Sequence, residues 1–259
     1  MTTGAKLDRS TKRVHRVGGF GIEILFPGMT LDEGDSGIGA IGRIDHARVT
    51  PGTVVPMHPH KDDEILTYLR QGIVRHRDTV GHTEEISNTR LMLMNAGHTF
   101  QHEETVLPAG GTLEGLQIFL RPREADLDPM VQFHEFETPV SANAWRLLAG
   151  PTDAPLTVRA EAWVHDARLD AGRGLSLPRA PRPGVRRLLY VFTGHVAAAG
   201  TTLAAGESLL LDDGAEHTVA EQHSDLVLFT TDPTAEVFRG GMFSGNVLAD
   251  HRSGTRAMR

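Results

Sequence analysis

The chain has 259 residues, a formal net charge of −7 and no cysteine; 39% of its residues are hydrophobic and 23% charged. This is the composition of a soluble globular protein, with length for one large domain or two ordinary ones. The acidic balance argues against electrostatic binding to nucleic acid or to an anionic membrane. The lack of cysteine removes disulfides, thiolate metal sites and cysteine nucleophiles. No run reaches the ~18 consecutive apolar residues of a membrane span, and the N-terminus has no apolar signal core, so the cytoplasm is the expected location. The short basic run 6-KLDRSTKRVHR-16 reads as a solvated leader.

Short apolar runs follow one another along the chain: 20-FGIEILFP-27, 64-EILTYL-69, 91-LMLMN-95, 116-LQIFL-120, 188-LLYVF-192, 208-SLLL-211 and 226-LVLFTT-231. Each is about one strand long and ends in turn residues, which predicts an all-β protein of sandwich or barrel type. The one short helix expected is 234-TAEVFRGG-241. An internal echo runs through the pattern. In the first half 66-LTYLRQGIVRHRDT-79 is followed by 91-LMLMNAGHTFQHEE-104; in the second, 188-LLYVFTGHVAAAGT-201 is followed by 209-LLLDDGAEHTV-219. Both copies read strand, Gly turn, strand, loop, apolar strand, Gly and then histidine, as expected of two copies of one β-domain. The boundary is expected in or just after 122-PREADLDP-129, giving units 1–132 and 133–259.

The chemistry concentrates in 57-MHPHKDDEILTY-68 and 102-HEE-104. In a strand, side chains alternate faces, so His58 and His60 point the same way about 7 Å apart along the chain. By the same rule His102 and Glu104 share a face and Glu103 takes the other. Two such strands facing each other in a barrel would offer three imidazoles and one carboxylate. That set suits Fe(II), Mn(II), Ni(II), Cu(II) or Zn(II) and leaves coordination positions open. The remaining histidines, among them His76, His82, His98, His134, His165 and His195, lack paired spacing and read as surface or structural residues. Trp145 and Trp163 read as core of the second unit.

The run 52-GTVVPMHPHKDDEILTYLRQG-72 resembles the first cupin motif, and 96-AGHTFQHEE-104 the second. More narrowly, HPH followed by E-x-x-x-Y-L-x-x-G-x-x-x-H-R-D, then M-x-A-G-x-x-x-x-H-x-E, resembles the pirin family, as do 20-FGIEILFPG-28 and 238-FRGGMFSGN-246. The resemblance implies two tandem cupin barrels (double-stranded β-helices of jelly-roll type) with a metal, usually Fe(II), in the N-terminal one, held by His58, His60, His102 and Glu104. In cupins generally a glutamate four residues beyond the second histidine is often a ligand, which makes Glu64 a rival. Where pirins usually carry R-G-F-E-T after HPH, this chain has 61-KDDEI-65. Asp62, Asp63 and Glu64 are therefore expected at the mouth of a substrate pocket that would favour a cationic or polar substrate. Aligning Gly72 with Gly194 puts Ala180 and Arg182 where His58 and His60 stand, leaving only His217 of a ligand set. The second barrel is thus expected to lack metal. The resemblance implies two functions. One is a metal-dependent dioxygenase of the quercetin 2,3-dioxygenase type, with Glu104 as base. The other is a non-catalytic redox-sensing protein that binds a protein partner.

Overall fold

The computed structural model describes residues 4–212 and 217–249. The strands assemble into two pairs of sheets, each pair made of a seven-stranded and a four-stranded sheet. In the first pair the large sheet runs Met130–Glu135, Arg90–Asn95, Glu64–Gln71, Leu113–Leu120, Ile41–Val49, Phe20–Leu25, Arg13–Val17. The small sheet runs Val54–His60, Phe100–Val106, Val74–Asp78, Thr83–Ile86. The second pair repeats the plan. Its small sheet runs Gly174–Ser176, His217–Ala220, His195–Ala198, Thr201–Ala204, and its large one is centred on Arg186–Thr193 and Ser224–Thr231. The echo in the sequence is therefore a repeat of architecture, and the all-β expectation holds. The helix expected at 234–241 does not form; those residues are turn and irregular backbone.

Three apolar clusters explain why the central strands read as unbroken hydrophobic runs. Ile65, Leu69, Met92, Met94 and Phe119 fill the interior of the first sheet pair. Leu189, Val191, Leu226 and Leu228 fill that of the second. Leu66, Tyr68, Ile118, Leu188, Tyr190 and Phe229 form a third cluster to which both large sheets contribute. Successive residues of one strand face opposite sides, so Glu64–Gln71 sends Ile65 and Leu69 inward and Leu66 and Tyr68 toward the other half. A strand buried on both faces loses the polar alternation that marks an ordinary sheet surface.

The ends of the chain cross between the halves. Ala5–Leu7 pairs with Leu210, Leu209 and Ser208 of the second large sheet. The segment 239–246 packs back on the first half through Arg121, which is fully buried and donates to Asp35, Gly39 O and Ser244 O. The boundary expected after residue 132 lies inside Met130–Glu135, which pairs along its whole length with Arg90–Asn95. Gly72 makes the turn into Val74–Asp78 at φ +92°, and a Cβ there would stand 2.6 Å from Leu113 Cα, so both conformation and space require glycine.

Candidate metal centre

Val54–His60 lies at the edge of the small sheet, where prolines 56 and 59 can withhold their missing N–H groups without breaking a central ladder. The strand pairs with Phe100–Val106 so that His58 sits opposite His102. His58, His60 and His102 then converge: His60 Nε2 is 3.1 Å from His58 Nε2 and 3.1 Å from His102 Nε2. The register slips between His102 and Glu104, which faces Val55, so Pro56 and Met57 together oppose Glu103 in a β-bulge. Past the bulge Glu104 still turns inward. Its Oε1 is buried without a hydrogen-bond partner and lies 3.9 Å from His102 Nδ1. Two potential ligand clusters share His102. One is His58, His60 and His102, the other His76, His102 and Glu104, and within each the ligand atoms lie no more than 4.8 Å apart.

The electrostatics suit a cation. Burial lowers the pKa of His58, and burial with the neighbouring imidazoles lowers that of His102, so these rings are neutral and carry lone pairs. His58 Nδ1 donates to Pro56 O at 2.9 Å, which leaves its Nε2 as the bare nitrogen aimed at the cluster. Three nitrogens facing one another at this distance share too few protons to bond together. An ion about 2.1 Å from each would span neighbouring nitrogens by about 3.0 Å at a right angle and about 3.4 Å at a tetrahedral one. Burial pushes Glu104 up to about 7; an unpartnered buried carboxylate is costly without a cation nearby. On both counts the donor set fits a divalent ion of borderline softness.

The structure moves the three acids after HPH away from the role expected of them. Asp62 is buried, with φ +54°, and accepts the Asp126 N–H at 2.7 Å. Asp63 is fully buried and accepts the Phe243 and Ser244 N–H groups at 2.8–3.1 Å. Glu64 is fully buried and accepts Arg159 Nε at 2.8 Å, the Arg159 N–H at 3.1 Å and Asn95 Nδ2. Each carboxylate is engaged in holding chain segments together. The acidic mouth is therefore corrected: these residues are internal tethers, and Glu64 has its oxygens turned to Arg159 and Asn95. What does stand beside His60 is Phe243, with ring centroids 5.0 Å apart, and Phe119 at 6.1 Å, with the Arg43 guanidinium 5.3 Å from both phenylalanine rings. Asp63 brings Phe243 to the site by binding its backbone.

His76, a satisfied internal histidine as expected, stands beside this cluster. It is fully buried, its Nδ1 is 3.3 Å from His102 Nδ1, and its Nε2 is 2.8 Å from Asp78 Oδ2. His82 Nδ1 meets the same oxygen at 3.0 Å. Same-face alternation in 76-HRD-78 is the signal that would have found the pair. His98 lies outside the cluster, its Nε2 3.8 Å from Asp128. In the second half, His217 pairs with Ser176, and Gly174 lies against its ring, where a Cβ would come within 2.2 Å of Nε2. Ala180 and Arg182 fall in the loop beyond that strand, so the positions expected opposite His217 are held by Gly174 and Ser176. Trp145 packs against the second interior cluster, whereas Trp163 lies outside the core under Arg182.

Comparison with known proteins points to one family. The Pirin family model matches residues 32–120, which contain the HPH, HRD and HEE runs. A Zymomonas mobilis protein that carries the quercetin 2,3-dioxygenase name provisionally is 30% identical over 198 residues, spanning 74% of this chain and 83% of its own. The quercetin 2,3-dioxygenase of Escherichia coli K12 is 27% identical over 199 residues, 76% of this chain and 84% of its own. Among solved structures, the bacterial pirin YhhW of Escherichia coli in complex with nickel(II) superposes with a TM-score of 0.77 at 24% identity, covering 90% of this chain and 100% of that one. The repeated sheet pair, the inward histidines and these similarities lead to one assignment: the chain belongs to the pirin family.

Proposed function

We propose that this pirin holds a divalent metal at His58, His60, His102 and Glu104 and uses it in dioxygenase chemistry on a flavonol-type substrate, with Fe(II) as the working ion and Mn, Ni, Cu or Zn as ions the same donors accept. The observation that carries the reading is the convergence of His58, His60 and His102, with His60 Nε2 3.1 Å from the Nε2 of each of the other two, and the buried, unpartnered Glu104 Oε1 3.9 Å from His102 Nδ1. The ion would supply Lewis acidity, lowering the pKa of a substrate hydroxyl. Glu104 would take the hydroxyl proton as the carboxylate base of the site. Phe243 and Phe119, backed by Arg43, offer a flat apolar wall next to His60, which suits an aromatic substrate better than the cationic one suggested by the acids. The quercetin 2,3-dioxygenase names of the relatives support the same reading. The test uses protein purified without a metal-affinity tag. Metal content is measured, the apoprotein is loaded anaerobically with Fe(II), and oxygen uptake is followed after quercetin and air are admitted. Uptake above that of a His58→Ala variant is expected; uptake equal to the variant's sinks the proposal.

A further inference from the structure

We infer that His76 and Asp78 are positioning residues of this centre, which lock His102 with its Nε2 lone pair turned toward His58 and His60. The inference rests on the metal-site reading above but is carried by a separate set of hydrogen bonds. Asp78 closes a tight turn: its Oδ1 accepts the backbone N–H groups of Val80, Gly81 and His82 at 2.9, 2.9 and 3.0 Å. Three backbone donors stabilise the ionised form. Its Oδ2, which can only accept, lies 2.8 Å from His76 Nε2 and 3.0 Å from His82 Nδ1. His76 Nε2 must therefore carry its proton. A neutral imidazole has one N–H, so His76 Nδ1 is left as an acceptor. That acceptor is 3.3 Å from His102 Nδ1, so the proton in this contact belongs to His102. With Nδ1 protonated, His102 has only its Nε2 lone pair to offer, and that atom is the one 3.1 Å from His60 Nε2.

The chain of contacts is a row of fixed directions from backbone amides through Asp78, His76 and His102 to the ligand cluster. Packing holds it in place: the His76 ring lies parallel to Phe100 (interplanar angle 9°) and edge-on to Phe133 (64°). Such outer contacts orient a ligating histidine and raise its basicity. His76 differs from the usual partner in being a second imidazole between the ligand and the carboxylate.

The experiment uses full-length, tag-free apoprotein and two readouts. Nickel(II) affinity is measured by competition with a chromophoric chelator. The histidine tautomers of the metal-free protein are read from long-range 1H–15N spectra. In the wild type, His102 is expected to be protonated on Nδ1 and His76 on Nε2. His76→Phe keeps the ring and removes the acceptor; nickel(II) affinity is expected to fall about 10–100-fold, with loss of the His102 Nδ1–H preference. His76→Asn places an amide oxygen near the position of Nδ1 and should restore most of the affinity and the tautomer. Asp78→Asn should weaken binding in the same direction as His76→Phe. Unchanged affinity in His76→Phe, absence of rescue by His76→Asn, or a wild-type His102 protonated on Nε2 would each overturn the inference. Should His76→Phe fail to fold, the wild-type spectrum and Asp78→Asn decide it. If the wild type takes up nickel(II) no better than His58→Ala, the metal reading fails, while the tautomer spectra still judge the chain of contacts.

Discussion

Replacing Glu64 by alanine separates a tether from a ligand. In the structure its side chain is 0% exposed and faces Arg159, whose side chain is 13% exposed. The pair joins the first half to the segment just before Ala162–Leu169 of the second. Removing the carboxylate leaves the Arg159 guanidinium with a single hydrogen bond, Nη1 to Asp128 O at 2.5 Å, while Nη2 has none even in the intact protein. Stripping one partner from a buried ion pair costs about 3–5 kcal/mol, which corresponds to roughly 10 °C in Tm for a chain of this size. The double variant Glu64→Leu/Arg159→Leu should lose less than Glu64→Ala alone, because it buries no uncompensated charge. Urea denaturation gives the free energies, and metal analysis of each variant gives the stoichiometry. The expectation is a large fall in midpoint for Glu64→Ala with metal content unchanged. A Glu64→Ala protein of wild-type stability that has lost its metal would show Glu64 to be a ligand and refute the tether.

Lys12 is buried between the halves, with its Nζ 2.9 Å from Tyr190 Oη and 3.4 Å from Glu23, and burial pulls its pKa from 10.5 to about 8. Between those two values the unfolded chain binds a proton that the folded one does not, so stability should rise with pH across that window and level off at its lower value below about 8. Lys12→Met removes the term; its advantage over the wild type should be greatest below pH 8, up to about 3 kcal/mol, and should vanish above the unfolded-state pKa. An advantage independent of pH would contradict this account. Asp63→Ala removes the acceptor of the Phe243 and Ser244 N–H groups, each costing about 1–3 kcal/mol when buried and unmet. Hydrogen exchange at those two amides should accelerate in the variant, and unaltered protection would argue against the tether.

The parts of the fold that were legible in the sequence are those governed by local rules. Period-two alternation put His58, His60, His102 and Glu104 on inward faces because strands impose it whatever the tertiary context. The repeat was legible because both halves carry the same order of strand and glycine turn. The bulge at Pro56 and Met57 was not, since it is a property of two paired strands. The pairing of Met130–Glu135 with Arg90–Asn95 was not legible either, because it joins strands some forty residues apart. The Asp78 partner of His76 is legible only through alternation in 76-HRD-78, since its contact with His102 comes from another strand.

The acids of 61-KDD-63 and Glu64 make the sharper case. From sequence, three carboxylates after HPH suggest charge at an opening, since burying charge is expensive. Their partners could not have been found nearby: Asp126 lies 64 positions away, Arg159 95, and Ser244 181. Each cost is offset by donors that arrive only when the chain folds, and one of them has a consequence for the site. Asp63 Oδ2 is 3.7 Å from His60 Nδ1, too far for a hydrogen bond, while the same carboxylate fixes the backbone of Phe243, whose ring lies against His60. The segment 239–246 is thereby brought against the histidine cluster. Gly241 allows this approach, because a Cβ there would stand 2.5 Å from Asp62 O and 2.8 Å from Asp63 Oδ1. The acidic run and the late 238-FRGGMFSGN-246 therefore work as one device, in which a buried carboxylate holds an aromatic ring against His60.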